Sequence, residues 1–200
     1  MDIEEIITTT MDDGSVSSYQ YFSNLKDRKI LFNADCDERI TERVAMPLLA
    51  FEADSCSDPV HLYINSSGGS VFDSLYLCNI IDNYSKPLYI HVLGYAMSMG
   101  FLLAIAGRDN PNVHRDCYPF SVYMLHSGSL SVSSDTAKAK SFLNFNSKLE
   151  EKEKNYVLSH TTIDEETYDK FVDVDYWLTA EDALHYGIVD SIVGEDNGKK

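Results

Sequence analysis

The sequence predicts an α/β fold built on a mainly parallel sheet, and two patterns along the chain support that prediction. Short apolar runs, which are typical of buried strands, alternate with segments whose apolar residues recur at helical spacing. A helix between two strands is the usual connection in a parallel sheet. The length of 200 residues and the hydrophobic content of 44% further favour a single globular domain with an ordinary core.

The predicted elements follow one another from residue 29 to residue 193. We expect strands at 29–32, 60–65, 87–93, 120–125 and 188–193. Helices are expected from about residue 40, after residue 70, and at 98–106, 135–158, 164–171 and 179–186. Pro47 should kink the first helix or delay its start, because proline lacks the backbone N–H. The second half of the long helix at about 135–158 is so polar that it should project from the body or meet a partner.

An excess of acidic residues argues against several classes of partner. The chain has 32 Asp and Glu against 16 Lys and Arg, a formal net charge of −16. Such a surface repels phosphate backbones and anionic lipids, so we expect neither nucleic acid nor a membrane as partner. The acidic first residues and the lack of any apolar run of about 18 residues indicate a cytoplasmic protein. The four cysteines lack metal-ligand spacing, so we expect no metal and no cofactor.

The first candidate for a reactive side chain is Ser98, in the segment GYAMSMG at 94–100. It lies between a predicted strand and a predicted helix, where a sharp turn exposes the hydroxyl. The free N–H groups of the first helical turn can there stabilise an oxyanion. The alternative is that Ser98 only caps the helix. The segment also departs from the G-x-S-x-G pattern, because Ala96 stands where the first glycine would be.

Two further features come at the carboxyl ends of predicted strands, where α/β sheets gather reactive groups. Gly68 and Gly69 allow a backbone N–H to face a ligand oxygen, although glycine turns also simply link strands to helices. His126 ends an apolar strand and can supply the base that a serine nucleophile needs, although a lone histidine is often structural. A carboxylate must orient that imidazole, and spacing does not choose among 32 acids.

Together these segments resemble a known family. INSSGG at 64–69, GYAMSMG at 94–100 and YMLH at 123–126 resemble the INSPGG, GQAASMG and V-M-I-H motifs of the caseinolytic Clp protease proteolytic subunits, the ClpP family. DYWLTAEDA at 175–183 and YGIVDSI at 186–192 resemble that family's D-R-F-L-S-A-x-E-A and YGLVDSI. The motifs occur in the same order and with similar spacing. The resemblance therefore covers the chain from about residue 20 to residue 193.

The resemblance implies a serine endopeptidase that cleaves peptide bonds of unfolded proteins through an acyl-enzyme. On the matching positions, Ser98 would be the nucleophile, His126 the general base and then acid, and Asp175 the carboxylate that orients it. The backbone N–H groups of Gly69 and Met99 would form the oxyanion hole. The catalytic assignment thus rests on five positions that lie far apart in the chain.

The resemblance also implies an architecture and an assembly. The fold would consist of crotonase-like repeated ββα units, with the helix at about 135–158 as a protruding handle. Residues 1–20 would form a flexible N-terminal arm or axial hairpin, 21–193 a single peptidase domain, and 194–200 a disordered tail. The chain would form a homo-oligomer of heptameric rings, and an ATP-driven AAA+ unfoldase would supply its peptide or unfolded protein substrate.

The chain departs from the family pattern at several positions. Ser67 replaces the usual proline, residues 127–129 replace a Gln-Pro segment, and Val174 replaces an arginine that the family uses in ring-to-ring contact. These differences are typical of a divergent or phage-encoded member. The alternatives are a phage capsid maturation protease of the same fold, a catalytically silent ring subunit, and a crotonase-type acyl-CoA enzyme.

Overall fold

The computed structural model describes residues 24–128 and 132–195. Its strands are β1 (Lys29–Phe32), β2 (Val60–Ser66), β3 (Leu88–Met97), β4 (Val113–Cys117), β5 (Val122–Leu125), β6 (Tyr176–Leu178) and β7 (Ser191–Ile192). Its helices are α1 (Met46–Ala53), α2 (Val71–Asp82), α3 (Met99–Ile105), α4 (Thr136–His160), α5 (Glu165–Val172) and α6 (Ala180–His185). The predicted arm at 1–20 and residues 196–200 of the predicted tail lie outside the described residues.

The sheet is mostly parallel, which confirms the predicted α/β class. Strands β1, β2, β3, β4 and β7 lie side by side in that order, all in parallel. The long strand β3 pairs with β4 along its first part and with β5 along its second part. Strand β6 runs antiparallel to β5. Because β3 changes partners along its length, the carboxyl ends of β3 and β5 lie next to each other.

The core lies between the sheet and the helices. Alternate residues of β2, among them Leu62 and Ile64, are fully buried, as the pleat of a strand with one covered face requires. Helix α3 packs against β3 and β2, and all seven of its residues are buried. This apolar helix follows Ser98 directly. The packing of α3 therefore fixes the carboxyl end of β3.

Strand β4 and the short strand β6 were not predicted. The sequence of β4 contains charged residues, which are not typical of a buried strand. Arg115 is only 2% exposed because it pairs with Asp190, and Asp116 pairs with His91. Paired charges can occupy a strand that an apolar pattern would not reveal. The last strand is shorter than the prediction of 188–193, since β7 contains two residues.

Pro47 lies in the first turn of α1, where its missing N–H costs no helical hydrogen bond. One π-helical turn, Thr41–Ala45, precedes it, and the N–H of Met46 donates to the carbonyl of Thr41. The α-helix therefore begins at Met46, one residue before the proline.

The first half of the long helix α4 is the more exposed half, although Phe145 stacks on Phe72 of α2. The sequence predicted instead that the second half would project. Val157 in the second half is buried, and the Tyr156 hydroxyl donates to the Asp82 carboxylate. Phe142, Leu143 and Phe145 in the first half are 39–48% exposed. Isolated contacts such as Val157 outweigh the average polarity of a segment in deciding which part of it packs. Within the described ranges, no helix is long and apolar enough to cross a membrane.

Candidate active site

The register of three strands brings distant residues to one edge of the sheet. Met97 at the end of β3 lies opposite Met124 of β5, and the N–H of Ser98 donates to the Met124 carbonyl at 2.8 Å. In the antiparallel pair, Leu125 of β5 lies opposite Tyr176 of β6. The next residue along β5 is His126, and the residue before Tyr176 is Asp175. Strand pairing alone therefore places Ser98, His126 and Asp175 together.

Ser98 occupies a strained turn between β3 and α3. Its backbone has φ of 50° and ψ of −121°, and its side chain makes no cap hydrogen bond to the helix. A positive φ is costly for a residue with a Cβ, and such strain is concentrated at functional sites. Among residues 24–128 and 132–195, Arg28 is the one other non-glycine residue with a positive φ. The Ser98 hydroxyl is therefore not used to cap the helix and remains available for other contacts.

The three side chains make consecutive contacts. Ser98 Oγ lies 2.9 Å from His126 Nε2, and His126 Nδ1 lies 3.4 Å from Asp175 Oδ1. The first distance suits a hydroxyl that donates to the imidazole, while the second is longer than an ordinary hydrogen bond. The His126 side chain is 31% exposed and that of Asp175 is 65% exposed. A proton can pass from Ser98 to His126, and Asp175 can stabilise the resulting imidazolium from the water-facing side.

Gly68 and Gly69 form the turn that faces Ser98. Both have a positive φ, at 94° and 143°. A Cβ on Gly68 would lie 2.6 Å from the Met97 carbonyl oxygen and 2.8 Å from the Met99 nitrogen, so only glycine allows this approach. Within the described part of the chain, the N–H groups of Gly69 and Met99 donate no hydrogen bond. Two unused backbone donors therefore lie beside the Ser98 hydroxyl.

A loop after β1 fixes this glycine turn. The N–H of Cys36 donates to the Gly68 carbonyl at 2.7 Å, and the N–H of Ser70 donates to the Cys36 carbonyl at 2.6 Å. Cys36 is 1% exposed, and burial raises the pKa of its thiol, so it is an inert packing residue and not a second nucleophile. Sequence reasoning missed this contact, because nothing in the sequence around Cys36 indicates a pairing with a turn more than thirty residues later.

A cavity of about 330 Å³ opens at Ser98 and His126, and we call it the Ser98 cavity. Apolar side chains line much of its wall, including Val71, Leu102, Leu125 and Val157. The acidic residue Glu153 of α4 also lines it. Burial raises the pKa of the Glu153 carboxyl, and repulsion from Glu150 raises it further. Sequence reasoning missed Glu153 because it lies within a run of charged residues, although its spacing of four from the apolar Val157 places both on one helix face.

Fold and site together define an α/β protein with a serine, a histidine and a carboxylate in the arrangement on which serine hydrolases rely. The Clp protease family model matches residues 13–196. The ATP-dependent Clp protease proteolytic subunit 1 of Salinibacter ruber (strain DSM 13855 / M31) is 31% identical over an alignment of 188 residues, which covers 90% of this chain and 76% of that protein. The chain belongs to the Clp protease family and is a peptidase of that general type.

Proposed function

We propose that this chain is a serine endopeptidase in which Ser98 is the nucleophile, His126 the general base and acid, and Asp175 the orienting carboxylate. The observation that carries the proposal is the 2.9 Å contact between Ser98 Oγ and His126 Nε2, with Asp175 on the far side of the imidazole. Each role follows from what the group contacts. No other charged group is required for the proton transfers.

In the first half of the reaction, Ser98 Oγ attacks the peptide carbonyl carbon while its proton moves to His126 Nε2. The oxyanion that forms accepts hydrogen bonds from the backbone N–H groups of Gly69 and Met99. Each such donor contributes on the order of 3 kcal/mol of transition-state stabilisation. The carbon–nitrogen bond then breaks, and the proton on His126 passes to the leaving amine. The acyl group remains as an ester on Ser98.

In the second half, a water molecule attacks the ester as His126 takes its proton. The same two N–H groups hold the second oxyanion. When the bond to Ser98 Oγ breaks, His126 returns the proton to that oxygen. The peptide leaves as a carboxylic acid, which gives its proton to water, and the enzyme regains its starting state.

The proposal extends to a ring-shaped assembly served by an ATP-driven unfoldase. The relative from Salinibacter ruber is described as a subunit and as ATP-dependent. The first half of α4 supports subunit contact here, because Phe142, Leu143 and Phe145 are exposed on one segment. Exposed apolar groups of this kind mark contact surfaces. We propose that this segment is the handle that meets a neighbouring ring, and that residues 21–193 form one peptidase domain.

The function is tested by hydrolysis of fluorogenic peptides that are short enough to need no unfolding. The full-length wild type should release the fluorophore, and Ser98→Ala should reduce the rate by at least about a thousandfold. Ser127→Ala is the matched control, because it removes an exposed hydroxyl next to His126 that makes no hydrogen bond in the described structure. Peptide cleavage that survives Ser98→Ala would refute the assignment, and an absence of cleavage by the wild type would favour a silent subunit.

The assembly is tested by light scattering coupled to size exclusion. A ring would have seven times the mass of the 22.6-kDa chain, and two stacked rings fourteen times. A species of the single-chain mass at all concentrations would contradict the ring.

A further inference from the structure

The Ser98 cavity contains a charge that its other lining residues do not balance. Among the described residues that line it, Glu153 is the one carboxylate, and none is a lysine or an arginine. Within the described residues, Glu153 makes no hydrogen bond or ion pair, although it is only partly exposed. A half-buried carboxylate without a partner is unfavourable, and an incoming cation would relieve that cost.

The neighbouring lysine on α4 cannot supply the missing cation. Lys154 Nζ lies 2.9 Å from Glu165 Oε1 and 2.7 Å from Asp169 Oδ1, both on α5 or at its start. It also lies over the ring of Tyr168, 5.7 Å from the centroid. Because the Lys154 ammonium already pairs with two carboxylates of α5, it leaves the carboxylate of Glu153 available to a ligand.

The position of the cavity identifies which part of a substrate would meet Glu153. The attacked carbonyl must lie at Ser98 with its oxygen toward the N–H groups of Gly69 and Met99, and both of these residues line the cavity. The side chain nearest the attacked carbonyl belongs to the residue on the amino-terminal side of the cleaved bond. That side chain therefore enters the Ser98 cavity.

We propose that Glu153 is a specificity residue that selects lysine or arginine on the amino-terminal side of the cleaved bond. This inference rests on the proposed peptidase function. The aliphatic stem of a lysine would pack along Leu102, Leu125 and Val157, while its ammonium pairs with Glu153. Several apolar side chains and one carboxylate in the same lining match a side chain with an aliphatic stem and a cationic end. A fully apolar side chain would instead leave the Glu153 carboxylate without a partner.

The size of the preference follows from how open the site is. Glu153 is partly exposed, so water screens the ion pair and its contribution stays well below that of a fully buried pair. We expect kcat/KM to be about tenfold higher for a lysine peptide than for a peptide with norleucine, which has the same carbon chain without the charge. Glu153→Gln should abolish this difference, and Glu153→Met should reverse it in favour of norleucine.

The test measures kcat/KM of the full-length protein with three fluorogenic peptides that differ only in having lysine, norleucine or glutamate before the cleaved bond. Glu151→Gln is the control, because it removes the same charge from an exposed position of α4 that does not line the Ser98 cavity. Lysine preference in the wild type and Glu151→Gln, lost in Glu153→Gln, supports the proposal. Ser98-dependent cleavage that favours norleucine in the wild type overturns it while leaving the peptidase assignment intact. If no peptide is cleaved in a Ser98-dependent way, both proposals fail.

Discussion

Replacing Gly68 by alanine should disable the site through the backbone. The alanine Cβ would lie 2.6 Å from the Met97 carbonyl oxygen, 2.8 Å from the Met99 nitrogen and 2.8 Å from Ser98 Cβ. All three contacted atoms belong to the turn that presents the nucleophile. Because two of them are backbone atoms, no side-chain rotation can relieve the contacts.

The magnitude has two parts. Alanine at a φ of 94° costs about 1–2 kcal/mol of stability from left-handed backbone strain. The close contacts add about 1–3 kcal/mol, as overpacking does elsewhere. If the turn yields by about 1 Å to make room, the displaced Ser98 hydroxyl loses about two orders of magnitude in reactivity.

Gly194→Ala is the matched control. Gly194 has a φ of 85°, but a Cβ there would meet no atom within 4 Å. This variant therefore reports the backbone strain alone and should keep the wild-type reactivity of Ser98.

The assay combines urea unfolding at a fixed protomer concentration with the rate of fluorophosphonate labelling. Gly68→Ala should be less stable than Gly194→Ala and should be labelled about a hundredfold more slowly than the wild type. Equal stability of the two variants, together with labelling of Gly68→Ala at the wild-type rate, would refute the reasoning.

Two further predictions concern charged residues, one at the site and one on strand β4. Asp175→Asn should slow peptide cleavage by about tenfold, because a contact of 3.4 Å is worth about 1 kcal/mol in water and the Asp175 side chain is 65% exposed. An unchanged kcat would show that Asp175 does not assist His126. Arg115→Met should lower the free energy of unfolding by about 2 kcal/mol, because it leaves the partly exposed Asp190 carboxylate without its guanidinium. Burial opposes ionisation of Asp190, but the hydrogen bonds from Arg115 outweigh it and hold the pKa of the Asp190 carboxyl below its usual value. The stabilisation is therefore present above the unfolded-state pKa of about 4 and is lost as the pH falls through the lower folded-state value. Urea unfolding between pH 6 and pH 3 should show a smaller acid loss in Arg115→Met than in the wild type, and equal losses would contradict the role of Arg115.

Particular residues explain how far the sequence could predict this fold. Strand β1 and the strand leading to Ser98 were predictable, because their apolar runs are short and bounded by turn residues. Strand β4 was not, since its buried Arg115 is balanced by Asp190, which lies 75 positions later in the chain. A local pattern cannot reveal a partner at that distance.

The site residues also divide into those that the sequence could predict and those that it could not. Ser98 and His126 were candidates from their places at strand ends, whereas Asp175 could be selected only through resemblance to a family. The antiparallel pairing of β5 with β6 is what carries Asp175 to His126, and β6 is too short to be read from periodicity. Glu153 lies among the charged residues of α4, and only the packing of Val157 in the same helix shows that this face turns toward the cavity.

The central claim is that the Ser98 hydroxyl is activated by its contact with His126. The most direct measurement is tandem mass spectrometry of the full-length protein after reaction with a fluorophosphonate, which locates the modified side chain. The account predicts one adduct, on Ser98, which His126→Ala suppresses by at least about a hundredfold. An adduct on a different residue, or one on Ser98 that forms at the same rate without His126, would contradict the account.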